Sequence, residues 1–201
     1  MIRNIVFDIG RVLLDYQPMQ FLSELGFEEA DSIYLNQTIF KDDLWQQLDR
    51  GIVTKEEAIG AYLAIAPEQA ENIRLIMNTW HEMLTLIEGT SELLRELIAK
   101  GYGVYLLSNF QEDGFKEIYN KFTFLGEVKG RVISYEAKLL KPEKEIYIHL
   151  LEKYHLKAEE TVFIDDLTEN VEAAVMLGIK GIVFESAKKT REGLRRIGIE
   201  V

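Results

Sequence analysis

The chain has no cysteine and only three prolines among its 201 residues. The first absence excludes a disulfide scaffold, a thiolate metal site and a cysteine nucleophile. Three prolines and 14 glycines, none of them clustered, leave no low-complexity tract or flexible linker. No apolar run approaches the roughly 18–20 residues that cross a bilayer. The apolar start Ile5-Val6-Phe7 meets Asp8 at once, too short for the core of a secretory signal. A basic stripe is also missing, since 23 Lys and Arg stand against 34 Asp and Glu, a net charge of −11. That removes the usual footprint of a nucleic-acid binder. The one basic cluster, Lys188, Lys189, Arg191, Arg195 and Arg196, reads as a solvated helix face. These absences lead us to expect a cytoplasmic protein, monomer or homodimer, with neither nucleic acid nor membrane as partner. An anionic ligand would need a local device: a helix N-terminus, one lysine or a bound cation.

What is present is an alternation. Ile2–Phe7, Val104–Leu107, Thr161–Ile164 and Lys180–Phe184 are short apolar runs with the character of strands covered on both faces. Three end on small or acidic polar residues: Asp8, Ser108-Asn109 and Asp165-Asp166. Helical patterns lie between them. Thr90 or Ser91 can cap one with Leu93, Leu94, Leu97 and Ile98 on a face; Pro142 suits the first turn of another; Thr168 can cap a third. The spacing predicts an α/β fold with a parallel sheet flanked by helices. In such sheets ligands bind at the carboxyl ends of strands. Residues 16–85 break the pattern and look helical throughout, with Thr54 and Glu57 spaced as a capping box. We therefore expect a core over 1–15 and 86–201 and an all-helical cap over 16–85. Trp45 and Trp80 fall in that cap and read as its core, with some of its aromatics open to lining a substrate pocket.

Four polar clusters can carry chemistry. Asp8 can be a nucleophile, a metal ligand or a turn-former. Ser108 and Asn109 can hold phosphate oxygens or cap a helix. Lys141 can place an ammonium at an anion site, although Lys138 competes for that position. Asp165 and Asp166 repel each other unless a cation or donors compensate, and such oxygens suit Mg²⁺.

In this order, and with Asn170 following, the clusters resemble the motifs of the haloacid dehalogenase (HAD) superfamily, and of its phosphatases in particular. The resemblance spans the whole chain and implies a Rossmann-like core. It implies Asp8 as the nucleophile, with Lys141 balancing its charge. It implies Ser108, the Asn109 backbone and Lys141 at the phosphate, and Mg²⁺ held by Asp8, the Gly10 carbonyl, Asp166 and Asp165, the last directly or through water. Asn170 would orient the fourth motif.

Two positions depart from the family pattern. Most family phosphatases carry a second aspartate two residues after the nucleophile, as proton donor to the leaving group. Here that residue is Gly10. General acid–base help is commonly worth about 10²–10⁴-fold. The Asp-x-Gly motif resembles the branch that includes bacterial α-D-glucose-1-phosphate phosphatases, which implies that hydrolysis survives the change. Arg11 replaces a small residue and can clamp a substrate anion or fold out under the cap. The expected function is Mg²⁺-dependent hydrolysis of a small phosphorylated metabolite, a sugar phosphate foremost. A catalytically weak binding protein is the alternative that Gly10 keeps open, and a metal-independent dehalogenase is a third.

Overall fold

The computed structural model describes all 201 residues. Its strands are β1 (Asn4–Phe7), β2 (Leu14–Asp15), β3 (Thr85–Leu86), β4 (Gly103–Ser108), β5 (Gly130–Ile133), β6 (Thr161–Asp165) and β7 (Lys180–Val183). Five form a sheet in the order β5-β4-β1-β6-β7, and every pairing in it is parallel. Phe7 lies beside Leu106 on one side and Ile164 on the other, so β1, β4 and β6 end at the same level. The remaining two, β2 and β3, make a small antiparallel pair.

Side chains alternate across the sheet, as strand geometry requires. Ile5, Phe7, Val104, Leu106, Val162 and Ile164 enter the larger core. Val6, Tyr105, Leu107 and Phe163 enter a smaller core on the opposite face. The two-sided burial explains why these strands read as continuous apolar runs.

Between β2 and β3 the chain is helical: α1 (Pro18–Glu24), α2 (Glu29–Leu35), a π-helical turn over Asn36–Phe40, α3 (Asp43–Arg50), α4 (Lys55–Ile65) and α5 (Ala70–Thr79). Thr54 and Glu57 form the capping box of α4. Then follow α6 (Thr90–Ala99), α7 (Glu112–Lys121), α8 (Ser134–Ala137), α9 (Lys144–Lys153), α10 (Thr168–Met176) and α11 (Ala187–Arg196). The side chains of α6 and α11 cover one face of the sheet and those of α9 and α10 the other.

Three local expectations shift. Pro142 lies in the turn before α9, whose N-cap is Glu143, because the chain there first loops Lys141 inward. Thr90 and Thr168 occupy first helical positions, and the caps are Gly89 and Leu167. Gly89 takes the cap because it sits at φ +78, and Leu167 because its N–H is held by Asp165 Oδ1 at 2.9 Å. β5 gave no sequence signal of its own. It is four residues long and starts on Gly130, where the Tyr154 ring leaves no room for a side chain.

Candidate active site

The site lies where β1, β4 and β6 end. Asp8 follows β1 and is fixed by its N–H, which donates to Ile164 O at 2.9 Å. Lys141 reaches in from the loop before α9. Its Nζ stands 2.8 Å from Asp8 Oδ1 and 2.6 Å from Asp165 Oδ2, with the side chain only 2% exposed. That resolves the competition with Lys138, whose ammonium turns away to the Gly51 carbonyl. Asn109 holds the lysine loop in place: its Nδ2 donates to Lys141 O at 3.0 Å and its Oδ1 accepts from Lys141 N at 2.9 Å. The Asn109 side chain is thus occupied by the chain itself.

The two aspartates that end β6 face different surroundings. Asp165 is fully buried, and Leu167 N, Asn170 Nδ2 and Lys141 Nζ all donate to its carboxylate. Asn170 is itself held by Tyr147, whose hydroxyl donates to Asn170 O at 2.9 Å. Asp166 is half-buried and faces a cavity, with Arg11 Nη1 4.0 Å from its Oδ2. Ser108, buried at the end of β4, faces Asp8 and draws its pKa down.

Charge at this point is unbalanced. Oxygens of Asp8, Asp165 and Asp166 lie within 4.8 Å of one another, against the single buried ammonium. At that spacing each like pair costs on the order of 3 kcal/mol at an effective dielectric near 20. Asp8 Oδ1 is buried, and despite its closeness to Lys141 it has no aligned hydrogen-bond donor. Burial raises the Asp8 carboxyl well above the ordinary range; Lys141 opposes that rise and Asp165 adds to it. Burial also raises Asp166, again with Asp165 adding to the effect. At Lys141, burial works against the ammonium, but Asp8 and Asp165 outweigh it and the pKa ends above its usual value. A carboxylate set with an orphaned oxygen and excess negative charge is the donor chemistry of a hard divalent cation.

The model of the haloacid dehalogenase-like hydrolases matches residues 5–184, from β1 to the end of β7. The chain belongs to this family. It is 26% identical to a sesquiterpene phosphatase of Aspergillus oryzae over 96% of this chain and 94% of that one. It is 25% identical to a D-ribitol-5-phosphate phosphatase of Bacteroides thetaiotaomicron over 96% and 97%. Among solved structures, a HAD family enzyme of Bacteroides thetaiotaomicron, in complex with magnesium and inorganic phosphate, superposes with a TM-score of 0.71 at 25% identity. That match covers 92% of this chain and 96% of the other.

Close to Asp8 in the chain, the haloacid dehalogenase-like fold leaves open space at Gly10. A Cβ on Gly10 would meet nothing within 4 Å. Arg11 has φ +55, and its guanidinium lies over the Tyr16 ring, 5.6 Å from the centroid, at the rim of the cavity. The cavity holds about 270 Å³. The strand ends supply Gly10, Asn109 and Asp166 to its lining, and the helical segment supplies Phe40, Trp45, Asp49 and Trp80. Phe40 and Trp45 pack at 4.8 Å between ring centroids, Trp45 and Trp80 at 5.1 Å, and Trp80 and Phe110 at 5.7 Å. Trp45 and Trp80 are therefore buried packing residues and cavity lining at once. Sequence reading passed over Asp49. Its one signal is a position four residues after Trp45, which puts an acid on the buried face of α3.

Proposed function

We propose that the chain is a Mg²⁺-dependent phosphatase of small phosphorylated metabolites, sugar phosphates foremost. The observation that carries the reading is the buried Asp8–Lys141–Asp165 group with Asp166 open to the cavity beside it. The phosphatase names of two full-length relatives and the magnesium and phosphate bound by a related structure support it.

In this reading Asp8 attacks phosphorus and carries the phosphoryl group as an aspartyl-phosphate until water releases it. Lys141, 2.8 Å from Asp8 Oδ1, opposes the rise that burial imposes on the Asp8 carboxyl and so favours its ionised, nucleophilic form. Ser108 and the Asn109 backbone receive phosphoryl oxygens. Asp8, the Gly10 carbonyl and Asp166 would hold Mg²⁺, which when bound offsets the negative charge of nucleophile and phosphate. Asp165, with its oxygens given to Lys141, Asn170 and Leu167, positions those groups. The helical segment over 16–85 acts as a cap on the core over 1–15 and 86–201, and its aromatic wall selects the leaving group.

The test is phosphate release from p-nitrophenyl phosphate and a panel of sugar phosphates and nucleotides, with Mg²⁺ or with EDTA. Release that needs Mg²⁺ and vanishes in Asp8→Asn is the expected result. Wild-type release no faster than Asp8→Asn overturns the reading in favour of a weak binding protein.

A further inference from the structure

We propose that Asp49 is the catalytic acid–base of this site, delivering from α3 the proton that Gly10 has no side chain to supply. The inference rests on the phosphatase reading above.

Asp49 lines the same cavity as Gly10, Asn109 and Asp166, and comes to it from α3 of the helical segment. A group that protonates the leaving oxygen has to border the space the leaving group occupies, and Asp49 lines the cavity into which Asp166 opens. Its place is fixed by the core and not by the helical segment alone. The Asp49 carbonyl accepts from Ser134 Oγ. Arg50, next along, forms a two-bond ion pair with Glu143 and donates to Lys138 O at 3.3 Å. Gly51 O accepts from Lys138 Nζ. These anchors all lie between Ser134 and Glu143, the stretch that also carries Lys141. One frame therefore positions both the ammonium beside Asp8 and the acid that lines the cavity.

The surroundings suit a proton donor. Asp49 sits among Tyr16, Phe40, Trp45 and Trp80, and no cation neutralises it. Burial pushes its pKa up to about 8, against the Gln111 backbone amide, which lowers it. Tyr16 and Tyr62 face it from neighbouring elements, and Arg11 and Asp166 line the same cavity. Near neutral pH the group is a neutral acid.

The step balances as follows. An Asp8 oxygen forms a bond to phosphorus as the bond from phosphorus to the ester oxygen breaks. The Asp49 proton passes to that oxygen, so the alcohol leaves neutral and Asp49 becomes a carboxylate. Water then attacks phosphorus, Asp49 takes its proton, and the bond between phosphorus and Asp8 breaks. Inorganic phosphate leaves, and both aspartates are as they began.

The test compares two esters with the full chain and Mg²⁺. p-Nitrophenolate leaves without help, whereas the alkoxide of glycerol phosphate needs a proton. In Asp49→Asn, kcat/KM for glycerol phosphate is expected to fall by about 10²-fold or more, while kcat/KM for p-nitrophenyl phosphate, which reports only the first step, changes little and its kcat falls because release of phosphate from Asp8 loses its base. The wild-type profile on glycerol phosphate should decline above about pH 8, and the variant should lack that limb. Asp49→Asn combined with Gly10→Asp should regain activity on glycerol phosphate, since position 10 has room for the side chain. An equal loss of kcat/KM on both esters, or none on either, overturns the role of Asp49 while the phosphatase reading stands. A wild type inactive on both overturns the two together.

Discussion

Asp165 and Asp166 are one peptide apart, yet the first spends both its oxygens on internal donors and the second keeps its own toward the cavity. In the sequence they form a symmetric pair. Consecutive residues at a strand end point to opposite sides, and that geometry divides them. The Asn109 side chain is tied to the Lys141 backbone, which leaves only its backbone for a phosphate, and that pairing across 32 positions is one no local pattern reveals. Lys141 is the side chain on which this cluster turns. Lys141→Ala would leave Asp8 and Asp165 buried without a counter-ion. A destabilisation of about 3–5 kcal/mol is expected, read as a lower denaturant midpoint with unchanged slope. Part of it should return at lower pH, where Asp8, already raised by burial, takes up a proton.

At the scale of elements, strand ends were legible because polar residues interrupt buried runs there. β5 was not, since its two apolar residues carry no such contrast. Nor was the π-helical turn that follows α2, because its residues continue the helical spacing. The helical segment meets α7 at a contact that depends on one atom's absence. A Cβ on Gly114 would stand 2.1 Å from Trp80 Cζ2. Ala is the better helix former by about 1 kcal/mol, so propensity alone favours Gly114→Ala. The overlap decides the sign, because Trp80 is 4% exposed and packs against Trp45 and Phe110. Gly114→Ala is expected to lower Tm and alter tryptophan fluorescence. As Trp80 lines the cavity, KM for the preferred ester should rise more than kcat falls.

For the whole molecule, the alternation of apolar runs with helical patterns carried the parallel sheet, and the order of four polar clusters carried the family. The cavity was less legible, because its wall is gathered from Phe40, Trp45, Asp49, Trp80 and Phe110, which meet only after folding. No helix is long and apolar enough to cross a membrane. Crowded carboxylates also make global stability a reporter of the proposed cation. A ligand at about 100 times its Kd adds about 2.7 kcal/mol to the folded state. Tm should therefore climb with Mg²⁺ concentration in the wild type. Asp166→Asn should remove that climb and raise the metal-free Tm, since it takes one charge out of the crowded set and gives up only the 4.0 Å pair with Arg11. An unaltered Mg²⁺ response in the variant would remove Asp166 from the ligand set.

The small β2–β3 pair has a consequence for descent. Leu14 lies beside Leu86 and Asp15 beside Thr85, so the chain leaves the sheet layer and returns to it at one spot. The register of the five main strands is set before Leu14 and after Leu86. Insertions or deletions between those points that spare α3, whose Asp49, Arg50 and Gly51 are tied to the stretch carrying Lys141, shift no strand. Generations of change can rewrite the wall that meets the incoming molecule and leave Asp8, Lys141 and Asp166 where they stand.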